Sequence, residues 1–178
     1  PNYYGNVEDG DALGRIVHEA GAKYIMGCNP MALAVMKTPA EYGADIAVGD
    51  GQPLGMPLAF GGPYLGFMTA TAAMTRKLPG RIVGETADNQ GRRAFVLTLQ
   101  AREQHIRREK ASSNVCSNQA WCALTASVYM TAMGADGMAK AAGQCMSKAH
   151  YLRDALKEAG LEPKHDCEFF HEFVTVSP

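Results

Sequence analysis

The stretch DIAVGDGQPLGMPLAFGGPYLG, residues 45–66, constrains this chain more than any other. An apolar run, residues 44–48, ends in a loop that brings the stretch to six glycines and three prolines without a lysine. A short apolar run bounded by glycine and proline predicts a buried strand. In open α/β sheets the loops beyond strand ends carry ligands, often phosphates held on glycine-rich backbone. This loop has the architecture of such a site and lacks any basic or strongly nucleophilic side chain.

The flanking sequence supplies the rest of the α/β pattern. In EDGDALGRIVHEAGAKYIMGC, acidic residues suit a helix N-terminus, and Leu13, Ile16, Val17 and Ala20 recur at helical spacing. Gly21 closes that helix, and residues 23–27 read as a short buried strand. Asn29 before Pro30, and Thr38 before Pro39, are capping pairs for two further helical turns. Residues 66–74 are strand-like. RIVGETAD (81–88) and RRAFVLTL (92–99) form a hairpin, with DNQG between them as turn chemistry. Residues 114–134 predict one long, mostly buried helix. Residues 135–160 predict an amphipathic one, with Met138, Ala142, Cys145, Met146, Ala149, Leu152 and Leu156 on one face and Gly160 as the stop. The domain boundary is expected at 134–137. Mostly parallel strands covered by helices fit this order.

Composition removes several functions. Net charge is −1, which suggests neither nucleic acid nor an anionic membrane, and apolar stretches are broken by Gly, Pro and charge. Cys28, Cys116, Cys122, Cys145 and Cys167 are scattered without C-x-x-C spacing, so they read as buried free thiols of a reducing compartment rather than disulfides or a zinc site. His165, Cys167 and His171 match no metal-ligand spacing, and no metal is expected. His18 and His150 read as helix-end or surface residues. The opening PNYYGNVED resembles the middle of a loop, and the closing EFVTVSP a strand, as in a fragment of a longer protein.

TPAEYGADIAVGDGQPLGMPLAFGGPYLGF and LTLQAREQHIRREKASSNVCSNQA resemble the P protein of the glycine cleavage system, in its first subunit or in the N-terminal half where two are fused. The resemblance runs over essentially the whole chain. It implies the α/β fold of type I pyridoxal-phosphate (PLP) transferases: the later half of a large, mostly parallel-sheet domain (1–133), then the start of a small C-terminal domain (134–178). In catalytic members one strand ends in an Asp that pairs with the pyridine nitrogen, and the next ends in a Lys that forms the Schiff base. On that pattern Met26 stands at the Asp position and Gln52 at the Lys position. An amide nitrogen is not nucleophilic, and a thioether cannot make a charge-assisted bond to a pyridinium.

The resemblance therefore implies a component of an oxidoreductase, glycine dehydrogenase, whose own chain holds no catalytic or cofactor-binding residue. PLP would sit in a second P-protein subunit, glycine would be the substrate, and the lipoyl group of H protein would accept the aminomethyl group. A bacterial or archaeal cytoplasm is the expected location. Gly61, Gly62 and Tyr64 in FGGPYLG form either a plain tight turn or a close-approach loop at a subunit interface. The run with Arg102, His105, Arg107, Arg108 and Lys110, followed by Asn114, is either a solvated face or a binder of phosphate, carboxylate or an acidic partner. Two other classes stand beside this reading. One is an active PLP enzyme of the aminotransferase or cysteine desulfurase type, and the other a purely structural or regulatory subunit.

Overall fold

The computed structural model describes residues 1–80, 82–98, 104–111 and 119–177, the side chain of His105 apart. They form two compact units: Pro1–Thr69 with Gln119–Pro178, and Ala70–Asn118.

The first unit opens with helix α1, Gly10–Glu19. Asp9 caps it, its Oδ1 accepting from the Ala12 N–H at 2.9 Å, and the Gly21 N–H closes it onto the His18 carbonyl at 2.9 Å. The face that α1 buries is Gly10 and Gly14, against Tyr42 and Tyr24, whereas Leu13 and Ile16 of the predicted stripe are exposed. Strand β1 (Ile25–Gly27) pairs in parallel with β2 (Ile46–Asp50), Met26 opposite Ala47, and β3 (Gly66–Ala70) flanks β2 on its other side. β1 is thus an edge, and Ile25 is exposed where a buried strand was expected.

Between β1 and β2 stands a single 3-10 turn, Ala32–Ala34, whose N-cap is Met31; Asn29 precedes it, its Oδ1 accepting from the Met31 N–H. TPAE, from Thr38 to Glu41, is a capping box: the Glu41 carboxylate accepts from the Thr38 N–H at 2.7 Å, and the Thr38 Oγ1 accepts from the Glu41 N–H at 3.4 Å. Asp45, buried just before β2, accepts from Lys23 Nζ (2.8 Å), the Tyr24 N–H (3.0 Å) and His18 Nε2 (3.1 Å). These donors, Lys23 first, hold its carboxyl well below the usual carboxylate range. The stability they confer is complete above the unfolded-state value and is lost only as pH falls through the folded one.

Helix α3 runs Ala120–Glu158, with non-helical geometry at Gly134 (φ 61°, ψ 179°). Its second half packs Ala142 into a core with Met31, Ala32 and Phe170, supported by Met138, Ala141 and Tyr129. The C-terminal segment reaches that core through Phe170 and is pinned to α3 at Phe169, whose ring stacks on His150 at 4.0 Å. The His150 Nε2 lies 2.9 Å from the Phe169 carbonyl.

Three expectations are corrected here. The first half of α3 is not mostly buried: Trp121, Leu124, Val128 and Met130 are exposed. Of the predicted amphipathic face, Ala142 is buried with Met138 packed beside it, whereas Met146, Leu152 and Cys145 are exposed. Cys28, Cys122 and Cys167 are only partly buried. Among the described residues no helix is long and apolar enough to cross a membrane.

The second unit is built on an antiparallel hairpin, β4 (Ile82–Ala87) with β5 (Arg93–Thr98), in the register Ala87 to Arg93. Asp88 organises the turn: its Oδ1 accepts from the Gln90 and Arg92 N–H groups, and its carbonyl accepts from the Gly91 N–H. The 66–74 segment divides: β3 stops at Ala70, and Ala72–Lys77 is a 3-10 turn. A short helix α2, Gln104–Arg107, and a 3-10 turn, Arg108–Lys110, close the described part of this unit.

Candidate functional site

The loop that opened the analysis leaves the end of β2 and bounds a cleft of about 530 Å³. Asp50, the last residue of β2, accepts through Oδ1 from the Gln52 N–H at 2.7 Å, and this Asx turn swings Gln52 to the cleft wall. The Gln52 side chain then donates from Nε2 to the Met56 carbonyl at 2.8 Å. Its amide nitrogen is therefore engaged by the loop's own backbone. Tyr64 lines the same cleft and its hydroxyl oxygen accepts from the Ala59 N–H at 2.8 Å, fastening the loop across its neck. Gly61 (φ 121°) and Gly62 (φ 111°) take backbone conformations that side chains disfavour, and the Gly62–Pro63 peptide is cis.

Cys28, Asn29, Asp50, Leu58, His171 and Glu172 complete the wall with Pro53. Sequence reading did not assign these residues. Asp50 and Cys28 were reachable, since both follow directly from strand ends. His171 and Glu172 carry no local signal, because a distant segment brings them in. Burial pushes the Cys28 thiol up from its ordinary value, which keeps it protonated and a poor nucleophile. Met26 opens instead onto a separate cavity of about 230 Å³, lined with Tyr24, Met36 and Leu13 among others. The fold thus brings Gln52 and Tyr64 together and leaves Met26 on another wall.

Of the basic run, Arg107, Arg108 and Lys110 are exposed, and Arg108 has a positive φ of 53°. Arg102 and Asn114 lie outside the described residues, as does the His105 side chain. Among the described residues no group of three or more His, Cys, Asp or Glu is disposed to hold a metal ion, His165, Cys167 and His171 included.

A family model described as "Glycine cleavage system P-protein" matches residues 1–177. The chain belongs to that family. Within the glycine cleavage P-protein family it is similar to curated proteins named "Probable glycine dehydrogenase (decarboxylating) subunit 1". The protein from Chlorobium luteolum is 52% identical over 100% of this chain and 40% of its own length. The one from Brevibacillus brevis is 55% identical over 98% of this chain and 39% of its own. The chain therefore spans about 40% of the curated relatives it matches.

A crystal structure of glycine decarboxylase (P-protein) of the glycine cleavage system, in inhibitor-bound form, superposes with a TM-score of 0.95 at 46% identity, over 100% of this chain and 41% of that one. At 16% identity, mouse CSAD in apo form (TM-score 0.61, 93% of this chain and 33% of that one) shows the fold alone. The fold is that of the type I PLP-dependent transferases, as the P-protein resemblance implied.

The P-protein cleft in this chain does not fit PLP. Among the described residues its lining holds two carboxylates, Asp50 and Glu172, and no Lys or Arg. A cofactor phosphate would meet like charge there, and its aldehyde would meet the Gln52 amide, which cannot add to it.

Proposed function

We propose that this chain is part of the non-catalytic subunit of a two-subunit glycine decarboxylase, with its cleft as the degenerate counterpart of a PLP site. The observation that carries the reading is Gln52: it stands just after β2 with its amide nitrogen tied to the Met56 carbonyl, and we assign it to the position of the fold's lysine. In the whole enzyme the partner subunit would hold PLP, whose chemistry would be to accept electrons from the glycine carbon that loses its carboxylate. The aminomethyl group then passes to the lipoyl arm of H protein.

This chain's own residues act as framework and as part of the shared interface. Tyr64 fixes the FGGPYLG loop by accepting from Ala59. Gly61 and Gly62 permit the loop's close approach, and Arg102, His105, Arg107, Arg108, Lys110 and Asn114 offer cationic and hydrogen-bonding groups to an anionic partner group. Met26 is assigned to the pyridine partner's position by chain order alone, since it lines the other cavity and not the Gln52 cleft. The large domain ends at residue 133 and the small one begins at 134, where Gly134 breaks the helix. The cytoplasm is the proposed location.

The test is covalent capture. Full-length subunit 1 and its partner are incubated with PLP, reduced with borohydride and weighed separately. The expected result is stoichiometric addition to the partner and none to subunit 1. Stoichiometric addition at a single lysine of this chain, such as Lys37 or Lys77, would overturn the reading.

A further inference from the structure

The turn that carries Gln52 is built against a helix. A Cβ at Gly55, whose φ is 86°, would stand 2.8 Å from Cβ, Cγ and Cδ2 of Tyr129 on α3, well inside van der Waals contact. A Cβ at Gly51 would stand 3.1 Å from Cδ2 of Leu65. Between these two glycines the turn uses up its own amides. The Gly51 N–H donates to the Leu65 carbonyl at 2.6 Å, and the Gln52 N–H donates to Asp50. The Leu54 N–H donates to the Gly51 carbonyl at 2.9 Å, and the Met56 N–H to the Gln52 carbonyl at 3.2 Å. These four N–H groups are committed within the chain, so none of them is left to cradle a phosphate. Leu54, inside the turn, is buried.

Tyr129 makes a second contact. It packs against the core of Met31, Ala32, Ala142 and Phe170, and Phe170 immediately precedes His171 and Glu172, which line the same cleft as Gln52. Both contacts are internal to the described residues, so no other part of a longer chain is needed to make them. We infer that Tyr129 is the positioning residue of the cleft: it fixes the Gln52 turn on α3 and couples that turn to the core behind His171 and Glu172. The glycines at 51 and 55 then serve this packing and not a bound phosphate. A strand-end loop can keep glycines for either purpose, since both need close approach to the backbone. The inference rests on the reading of the cleft as a degenerate PLP site.

The experiment is amide exchange on full-length subunit 1, read at Gly51, Gln52, Leu54 and Met56, with β2 as the internal reference. Tyr129→Ala should raise exchange at the four turn amides roughly tenfold beyond any rise in β2, because the turn loses its support while the strand keeps its pairing. Tyr129→Phe keeps Cβ, Cγ and Cδ2 and should match the wild type. Gly55→Asn tolerates the positive φ but adds a Cβ, so it should loosen the same four amides, and it serves as the probe if Tyr129→Ala does not fold. Inorganic phosphate should leave the four amides unchanged. Wild-type exchange in the turn of Tyr129→Ala and Gly55→Asn, or a rise shared equally with β2, overturns this inference and leaves the degenerate-cleft reading standing. A Tyr129→Phe variant as loose as Tyr129→Ala also overturns it, by moving the role from the ring contact to the hydroxyl. Protection of the turn by phosphate overturns both, since the loop would then hold the group a PLP site holds.

Discussion

The two halves of α3 differ in composition, the first without a charged side chain and the second with several, and each buries one residue, Ala126 and Ala142. Before Gly134 the helix carries Trp121, Leu124, Val128 and Met130, all exposed. After it, Ala142 is fully buried between Phe170 and the 3-10 turn at Ala32, with Met138 packed alongside. Large apolar side chains are exposed on both halves, since Met146, Tyr151 and Leu152 after Gly134 are exposed as well. Apolar content states that a surface is to be removed from water. It does not state which part of a protein removes it, and in the second half that part is the C-terminal segment, which folds back through Phe169 and Phe170.

The comparison can be broken most sharply at Phe170, which is 1% exposed. Phe170→Ala should cost about 3–5 kcal/mol through lost burial and the cavity left behind, read as a fall in the denaturant midpoint. A loss under about 1 kcal/mol would mean that the second half of α3 is no better packed than the first. Next in size is Gly134, whose φ of 61° and ψ of 179° lie in a region essentially restricted to glycine. Gly134→Ala should destabilise by about 1–3 kcal/mol, or straighten the helix. If stability is unchanged and helicity by circular dichroism rises, the two halves are one continuous helix.

Smallest of all is Val128→Ser, at a position 61% exposed. In this chain it should shift stability by no more than about 0.5 kcal/mol. Repeated in the full-length protein, a markedly larger loss would show that the first half is a buried surface whose cover lies beyond these residues.

These contrasts explain how far the sequence could be read. Strand β2 and the loop after it were legible because glycine, proline and a short apolar run are local signals. So were the acidic start of α1, the helical turn opened at Thr38 and Pro39, and the DNQG hairpin turn, each fixed by hydrogen bonds spanning a few residues. The position of Gln52 after that strand needed only chain order. The α1 stripe misled because small residues, Gly10 and Gly14, let Tyr42 and Tyr24 approach closely, so the helix packs through its glycines instead of its leucine and isoleucine.

By itself, then, the sequence determined the order of elements, the family pattern and the presence of Gln52, without any lysine, in the loop after β2. Those follow from periodicity, turn chemistry and side-chain reactivity, which act over a few residues. Only the tertiary structure decided that His171 and Glu172 share the cleft with Gln52, that Tyr64 is occupied within its own loop, and that α3 meets that loop through Cys122 and Pro63. Each of these joins residues far apart in the chain, and burial or hydrogen bonding between such residues leaves no local periodicity for a sequence to display.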